Sequence, residues 1–351
     1  MLALRKTRAG RGVDLVTTGY AEPLPAEGEA EVAIRAAGIC GSDLHAVAWD
    51  PSYGFMEPFL PLTIGHEFAG RVVAVGAGVT RVVPGDRVVC WPTLPCGTCD
   101  GCLAGRPSAC EARRIVGLHR DGGFAERVRV PERVLHRIPE ALEDDLAALS
   151  EPLAIAVNAV DVSGAQAGDR VVVLGPGPIG AAIAFVAQER GAEVLLVGLD
   201  DAERLAIASR MGIAATCDLS GTTLDAAVRA RFGTRCDRVI EATGAAASVA
   251  QGLEVLRPEG VFVAAGIHAR PFEIDLSRLV REKKQLRGAH DTTETAFAEA
   301  IALLERRGAA LSHLITHRLP LSRGVEAFDL ARSGGAMKVL LHPDDLEGQT
   351  T

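Results

Sequence analysis

Four cysteines, Cys96, Cys99, Cys102 and Cys110, fall within fifteen residues in a Cys-x2-Cys-x2-Cys-x7-Cys array. Four thiolates at that spacing can close a tetrahedral shell around zinc and leave no position for a substrate. The array therefore predicts a structural metal, one that fixes a loop too short and polar to form its own core. Crowding of this kind favours metal over disulfides in a cytosolic protein. Cys90 lies outside the spacing and is expected to carry no metal. Cys217 and Cys236 are expected to act as small buried hydrophobes.

A second donor set is looser. Gly38-Ile-Cys40-Gly-Ser42-Asp-Leu-His45 and Gly65-His66-Glu67-Phe-Ala-Gly70 supply a thiolate, an imidazole and a carboxylate. Three such ligands leave one zinc position open, which a Lewis-acid metal needs to bind an alkoxide and polarise a carbonyl. Each residue alone has an ordinary explanation: a core cysteine, a turn histidine, a surface glutamate. Only their coexistence with other chemistry makes them a set.

That other chemistry is a Gly-rich turn. Gly175-Pro-Gly177-Pro178-Ile179-Gly180 follows the apolar run Val171–Leu174 and opens an Ala-rich helix. Gly175 permits the tight turn, Gly177 lets backbone approach a pyrophosphate, and Gly180 lets helix pack on strand. Pro178 and Ile179 begin the helix, whose free N–H groups face the anion. An acid for the ribose hydroxyls is expected about 20 residues further on. Asp200 is the choice, although it could instead cap the helix beginning near Ala202. Arg204 is close enough to meet a 2′-phosphate, so NAD is only mildly favoured over NADP.

The elements that must position these groups divide the 351 residues into two domains, at about 100–200 residues each. Residues 1–152 carry short Val runs such as Glu31–Ala36, Gly70–Val75 and Arg87–Val89, punctuated by Gly and Pro, and read as a mostly β, barrel-like domain. From 153 apolar strands alternate with helical patterns, which predicts an α/β fold with a doubly wound parallel sheet. Thr243, Gly266 and Ile267 follow or end two of those strands, where open α/β sheets bind ligands, and are expected to flank a nicotinamide. The net charge of −8, without basic runs, excludes nucleic acid as a partner. No apolar run reaches the ~20 residues of a membrane span and the first residues lack a signal-peptide core, so no membrane partner and a cytoplasmic location are expected.

In order and spacing these motifs resemble the zinc-containing medium-chain alcohol dehydrogenases, over about residues 2–342. Gly65, His66, Glu67, Gly70 and Gly76 through Val79 match that family's zinc signature. The resemblance implies a GroES-like catalytic domain, residues 1–152 with 290–351 returning to it, around a Rossmann domain at 153–289. It implies Cys40, His66 and Glu67 as ligands of a catalytic zinc, beside the structural zinc at Cys96–Cys110. It further implies a Ser42–His45 proton relay, Lys338 facing the cofactor phosphates, and a homotetramer or dimer. Glu151-Pro-Leu, where simple alcohol dehydrogenases carry a cysteine-type ligand, and Trp49-Asp50 after His45 point to the polyol (sorbitol-type) and threonine dehydrogenase branch. Cys90-Trp91-Pro-Thr93-Leu94-Pro lacks the substrate-contacting histidine of threonine dehydrogenases, which weakens threonine as substrate.

Charge counting bears on Glu151. Zn²⁺ with one thiolate and one carboxylate is neutral, and a second carboxylate would make it a poorer Lewis acid. Glu67 and Glu151 are thus not expected to bind together throughout turnover. One of the two would exchange with water or substrate, or Glu151 would instead act through a bound water or by aligning the ligands. Trp49, Tyr53 and Trp91 line the substrate cleft or belong to the core. The expected function is hydride transfer between a polar secondary alcohol (polyol, cyclitol, sugar or amino alcohol) or its ketone and NAD(P). The alternatives are an NADPH-dependent aldehyde or ketone reductase and a non-catalytic nucleotide-binding zinc protein.

Overall fold

In the computed structural model, residues 1–344 other than Glu22 and Ala269 are described, so 345–351 of the expected returning limb lie outside the described residues. The chain divides into two compact units, Met1–Glu151 with Ala300–Gly308 and Ile315–Thr351, and Pro152–Glu299 with Ala309–Leu314.

The hub of the first unit is strand Glu29–Gly38, whose apolar residues Ala30, Val32, Ile34 and Ala36 are buried. It pairs antiparallel with Glu67–Val75, in a register that sets Gly38 opposite Glu67. Arg127–Pro131 pairs with its first half and Lys338–His342 with its last residues. The resulting seven-stranded sheet runs Leu135–Arg137, Arg87–Cys90, Glu67–Val75, Glu29–Gly38, Lys338–His342, Ile315–Pro320, with Arg127–Pro131 beside the hub. Leu4, Phe68, Phe124, Phe328 and Leu341 lie in its core, and the rings of Phe124 and Phe328 meet edge to face at 5.9 Å. The consequence for function is positional. Three strand ends, at Gly38, Glu67 and Lys338, meet at one corner of this sheet.

The second unit holds six parallel strands in the order Thr216–Asp218, Glu193–Gly198, Arg170–Leu174, Cys236–Glu241, Leu256–Ala264, Gln285–Gly288. In chain order this is third, second, first, fourth, fifth, sixth, the doubly wound arrangement with its reversal beside Arg170–Leu174. Val171, Val172, Val173, Val239 and Ile240 are fully buried. A strand covered on both faces has no polar side to show, hence the continuous apolar runs. Helices Leu224–Phe232 and Ala246–Val255 were harder to foresee from their mixed composition; the first is set by its ends, with Thr223 Oγ1 accepting from the Ala226 N–H and Gly233 at φ 70°.

The return to the first unit falls at Ala300 rather than at 290. Residues just before it are tied to the second unit: Thr292 Oγ1 donates to the Ala154 carbonyl, and Glu299 pairs with Arg190 at 2.9 Å. Asp144–Ser163 corrects the reading of apolar runs. It reaches a mean hydropathy of 1.3 over a length sufficient to cross a membrane, and 72% of that window is buried inside the protein, as in a core helix.

Candidate active site

Cys40, His66 and Glu67 converge, each at the end of a different structural decision. Cys40 precedes helix Gly41–Ala48 and its N–H donates to Asp43 Oδ2 at 3.0 Å. His66 follows the turn at Gly65, and Glu67 opens its strand. The three ligand atoms lie within 4.8 Å of one another, with Glu67 fully buried. His66 Nε2 is 3.2 Å from Ser42 Oγ and His66 Nδ1 is 3.5 Å from Asp43 Oδ1. Asp43, also fully buried, escaped the sequence reading. Its signal was its place three residues after Cys40, folded back on the helix cap. A carboxylate on the far nitrogen is the usual way a metal-binding histidine is oriented.

The donor chemistry fits a zinc ion. Burial pushes the Cys40 thiol up to about 12, with Glu67 adding to it. Burial likewise holds the Glu151 carboxyl well above the usual range. His66 is raised in spite of burial, chiefly by Asp43 and Glu151. His66 Nδ1 and Glu151 Oε2 are buried without a hydrogen-bond partner. A buried imidazole nitrogen and a carboxyl oxygen without partners, crowded against a thiol and a second carboxylate, fit a cation. Glu151, in the first turn of helix Ser150–Ser163 and 7% exposed, is not one of the three converging ligands. It interacts electrostatically with His66, Glu67 and Cys40.

Lys338 was expected at the cofactor phosphates. The structure places it instead on Glu67, with Nζ donating to both carboxylate oxygens at 2.8 and 2.7 Å and to the Ile39 carbonyl at 3.0 Å. The reason is burial: at 3% exposure the ammonium needs a partner, and Glu67 is the carboxylate its strand end meets. Glu67 and Cys40 hold it above the usual lysine range against the opposing effect of burial. This cation also revises the charge count. With Lys338 included, a thiolate and two carboxylates around Zn²⁺ balance to zero, so Glu67 and Glu151 can both be ionised beside the metal.

Ser42 stands between His66 and Tyr53, whose hydroxyl it meets. His45 Nδ1 bonds Asp50 Oδ2, and its ring stacks on Tyr53 at 5.7 Å. The His45 side chain keeps 35% exposure, so this group leads from the buried trio to water. Tyr53 and Trp91 are buried, and Trp49 lies under the Lys6 ammonium at 4.9 Å.

Cys96, Cys99, Cys102 and Cys110 also bring their sulfurs within 4.8 Å. Backbone N–H groups already point at them: Cys96 receives Thr98 at 3.4 Å and Cys99 at 3.3 Å, and Cys110 receives Cys96 at 3.2 Å. The Thr98 donors and the Cys99 N–H pull the Cys96 thiol down to about 6. Burial and the neighbouring sulfurs push Cys102 up to about 12, the sign of sulfurs competing for one charge. Cys90 and Cys236 are buried, whereas Cys217 is half-buried on the short edge strand.

In the second unit the Gly-rich turn has the required shape. Gly175 sits at φ 102°, and a Cβ on Gly180 would strike the Gly175 carbonyl. A Cβ on Gly177 would meet nothing within 4 Å, leaving the space over the turn open. Gly177 caps helix Pro178–Glu189, with Pro178 and Ile179 in its first turn. Past the second strand, Leu199 is exposed and Asp200 is exposed at φ 54°. Asp201, not Asp200, occupies the cap of helix Ala202–Arg210. Arg204 pairs with Asp201 at 3.6 Å. Asp218, unforeseen from sequence, accepts from the N–H groups of Asp200 at 3.0 Å, Asp201 at 3.1 Å and Ser220 at 2.9 Å. These bonds, that from Ser220 first, hold its carboxyl below the usual range. At the fourth and fifth strands, the Thr243 hydroxyl bonds Glu241 Oε1 at 2.5 Å, Gly266 N–H donates to the Glu241 carbonyl at 3.0 Å, and Ile267 is 45% exposed.

Fold and site together define an NAD(P)-linked zinc oxidoreductase. The chain matches the alcohol dehydrogenase GroES-like domain over residues 26–140 and the glucose dehydrogenase C-terminus over residues 144–342. It is 33% identical to a sorbitol dehydrogenase of Halalkalibacterium halodurans, covering 98% of this chain and 100% of that one. It is 35% identical to an L-threonine 3-dehydrogenase of Saccharopolyspora erythraea, covering 97% and 98%. A zinc-binding dehydrogenase of Sinorhizobium meliloti 1021, solved with NADP, superposes with a TM-score of 0.88 at 32% identity, covering 97% of this chain and 99% of that one. The chain belongs to the zinc-containing medium-chain alcohol dehydrogenase family, in its polyol and threonine dehydrogenase branch.

Proposed function

We propose that the protein oxidises a polar secondary alcohol, a polyol, cyclitol, sugar or amino alcohol, with NAD as hydride acceptor. The observation that carries this reading is the convergence of Cys40, His66 and Glu67, with Glu151 Oε2 buried and without a hydrogen-bond partner beside them. Bound by that trio, zinc would polarise the substrate oxygen and favour its alkoxide. Asp43 faces the far nitrogen of His66 at 3.5 Å, and Lys338 offsets the charge of Glu67. Ser42 receives the proton released by the hydroxyl, and His45, tied to Asp50 and open to solvent, passes it out. Glu151, whose Oε2 is buried without a hydrogen-bond partner, supplies the further polar contact that a second substrate hydroxyl or amine would take. A second zinc at Cys96–Cys110 is structural. The screen that tests this pairs polyols, cyclitols, sugars and amino alcohols with both cofactors; NADH formation is expected, and silence across every class would contradict the reading.

NAD is favoured over NADP on electrostatic grounds. Asp200, Asp201 and Asp218 crowd the loop after the second strand, and a 2′-phosphate there would meet three carboxylates. Arg204 is engaged by Asp201 and is not offered to it. Asp200→Ala is expected to lower kcat/KM for NAD about tenfold, the loss of one good hydrogen bond, while NADP changes little. Equal falls for both cofactors would remove Asp200 from the ribose site.

Assembly of copies is supported by strand Gln285–Gly288, an edge of the parallel sheet with all four residues exposed, and by exposed Leu276 and Val280 in the preceding helix. An open edge flanked by apolar side chains is a pairing surface; sedimentation should find a dimer or tetramer.

A further inference from the structure

Glu241 is a fully buried acid that the zinc chemistry does not use. It ends the fourth strand of the parallel sheet, immediately across the point where strand order reverses. Its Oε1 accepts three hydrogen bonds: from Thr243 N–H at 2.6 Å, Thr243 Oγ1 at 2.5 Å and Gly244 N–H at 2.8 Å. Its carbonyl accepts from Ala265 N–H at 2.8 Å and Gly266 N–H at 3.0 Å. Oε2 faces His268 Nε2 at 3.2 Å.

One side chain therefore ties together the loops after the fourth and fifth strands. The packing leaves them no play. A Cβ on Gly266 would lie 2.9 Å from Glu241 Oε2, one on Gly244 2.5 Å from the Ile267 carbonyl, and one on Gly175 2.7 Å from Thr243 Cγ2. The last contact links this knot to the phosphate turn itself. In a sheet of this order a dinucleotide straddles the reversal, and the half beyond the phosphates lies over the fourth and fifth strand ends.

We propose that His268, held by Glu241, contacts the nicotinamide nucleoside half of the cofactor. With Oε1 saturated by donors, Oε2 accepts from Nε2–H, which leaves Nδ1 as an acceptor. That nitrogen suits a ribose hydroxyl or the carboxamide N–H₂. Phe272 packs against the imidazole ring, tilted at 43° with centroids 4.9 Å apart, and the His268 side chain keeps 16% exposure, so it is held in place yet reachable. Glu241 is a positioning residue acting on the cofactor through His268, while its Oε1 holds the Thr243–Gly244 turn, a role that an amide oxygen at the same place can also fill.

This inference rests on the nucleotide-binding reading of the second unit, and its test separates the two. Affinities for ADP and for NADH are measured by calorimetry on the zinc-loaded protein. ADP probes the turn at Gly175; NADH adds the other half. His268→Ala should weaken NADH about tenfold and leave ADP unchanged, with His268→Gln, which restores an acceptor, recovering part of the loss. Glu241→Gln should weaken NADH without a further loss when combined with His268→Ala. Unchanged NADH affinity in His268→Ala, or an equal loss of ADP, overturns the assignment. Failure of the unaltered protein to bind ADP would overturn the nucleotide reading itself.

Discussion

Cys40→Ala lowers kcat/KM by about 10³-fold or more, because a Lewis-acid metal contributes several kcal/mol at the transition state. The same variant should keep its thermal midpoint within a few degrees and its four-cysteine metal intact. The asymmetry follows from where the residue sits. Cys40 is the half-buried cap of a short helix whose packing depends on Ala46 and Val47, not on the thiol. Removing the thiol removes a ligand and leaves a small change in volume. Turnover with any alcohol of the screen, compared with zinc content and a melting curve, checks it. Full activity in Cys40→Ala would exclude the trio as the reactive centre.

The second large effect belongs to Lys338→Met. Breaking a buried ion pair leaves an uncompensated charge and costs about 3–5 kcal/mol. Here that charge is Glu67, whose two carboxylate oxygens both accept from the Lys338 ammonium. Zinc supplies another cation, so the loss should be large after chelation and smaller in the loaded enzyme. Lys338→Arg keeps the charge and should recover much of the stability. Melting curves of both variants, with zinc and with chelator, read the difference directly. A Lys338→Met variant that melts like the unaltered protein in both states would show that Glu67 does not depend on Lys338.

The fate of Lys338 shows what a linear reading can and cannot reach. The Gly175–Gly180 turn was legible because its chemistry is local: strand, glycines and helix follow one another in eleven residues or so of continuous chain. The parallel strands were legible because double-sided burial leaves only apolar residues. The Lys338–Glu67 pair spans 271 residues and is made by strand register, which no spacing announces. Asp43 and Asp218 were missed for a related reason. Each serves another group's backbone or ring, and an acid in such a role looks like any surface acid until the partner is in view. Glu241 is the extreme case, a lone acid at the end of an apolar run that makes six hydrogen bonds with five residues of two loops.

The cysteine array and the Cys40 trio differ in the same way. Cys96 to Cys110 announce themselves by spacing and fold on their own backbone N–H groups. Cys40, His66 and Glu67 were individually ordinary, and the hub strand with its neighbour brings them together. Under the proposed function the two sites accordingly carry opposite duties, one closed and holding a lobe, the other open toward substrate.

Stepwise removal of zinc tests that division most directly. The protein is dialysed against a chelator of increasing strength while zinc content, NADH formation and circular dichroism are followed together. Activity should fall to zero as the more exchangeable equivalent leaves, with the fold retained, and should return when one equivalent of zinc is restored; unfolding should accompany only loss of the second. Activity that persists after one equivalent has gone and disappears only as the protein unfolds would contradict an open catalytic zinc at Cys40, His66 and Glu67.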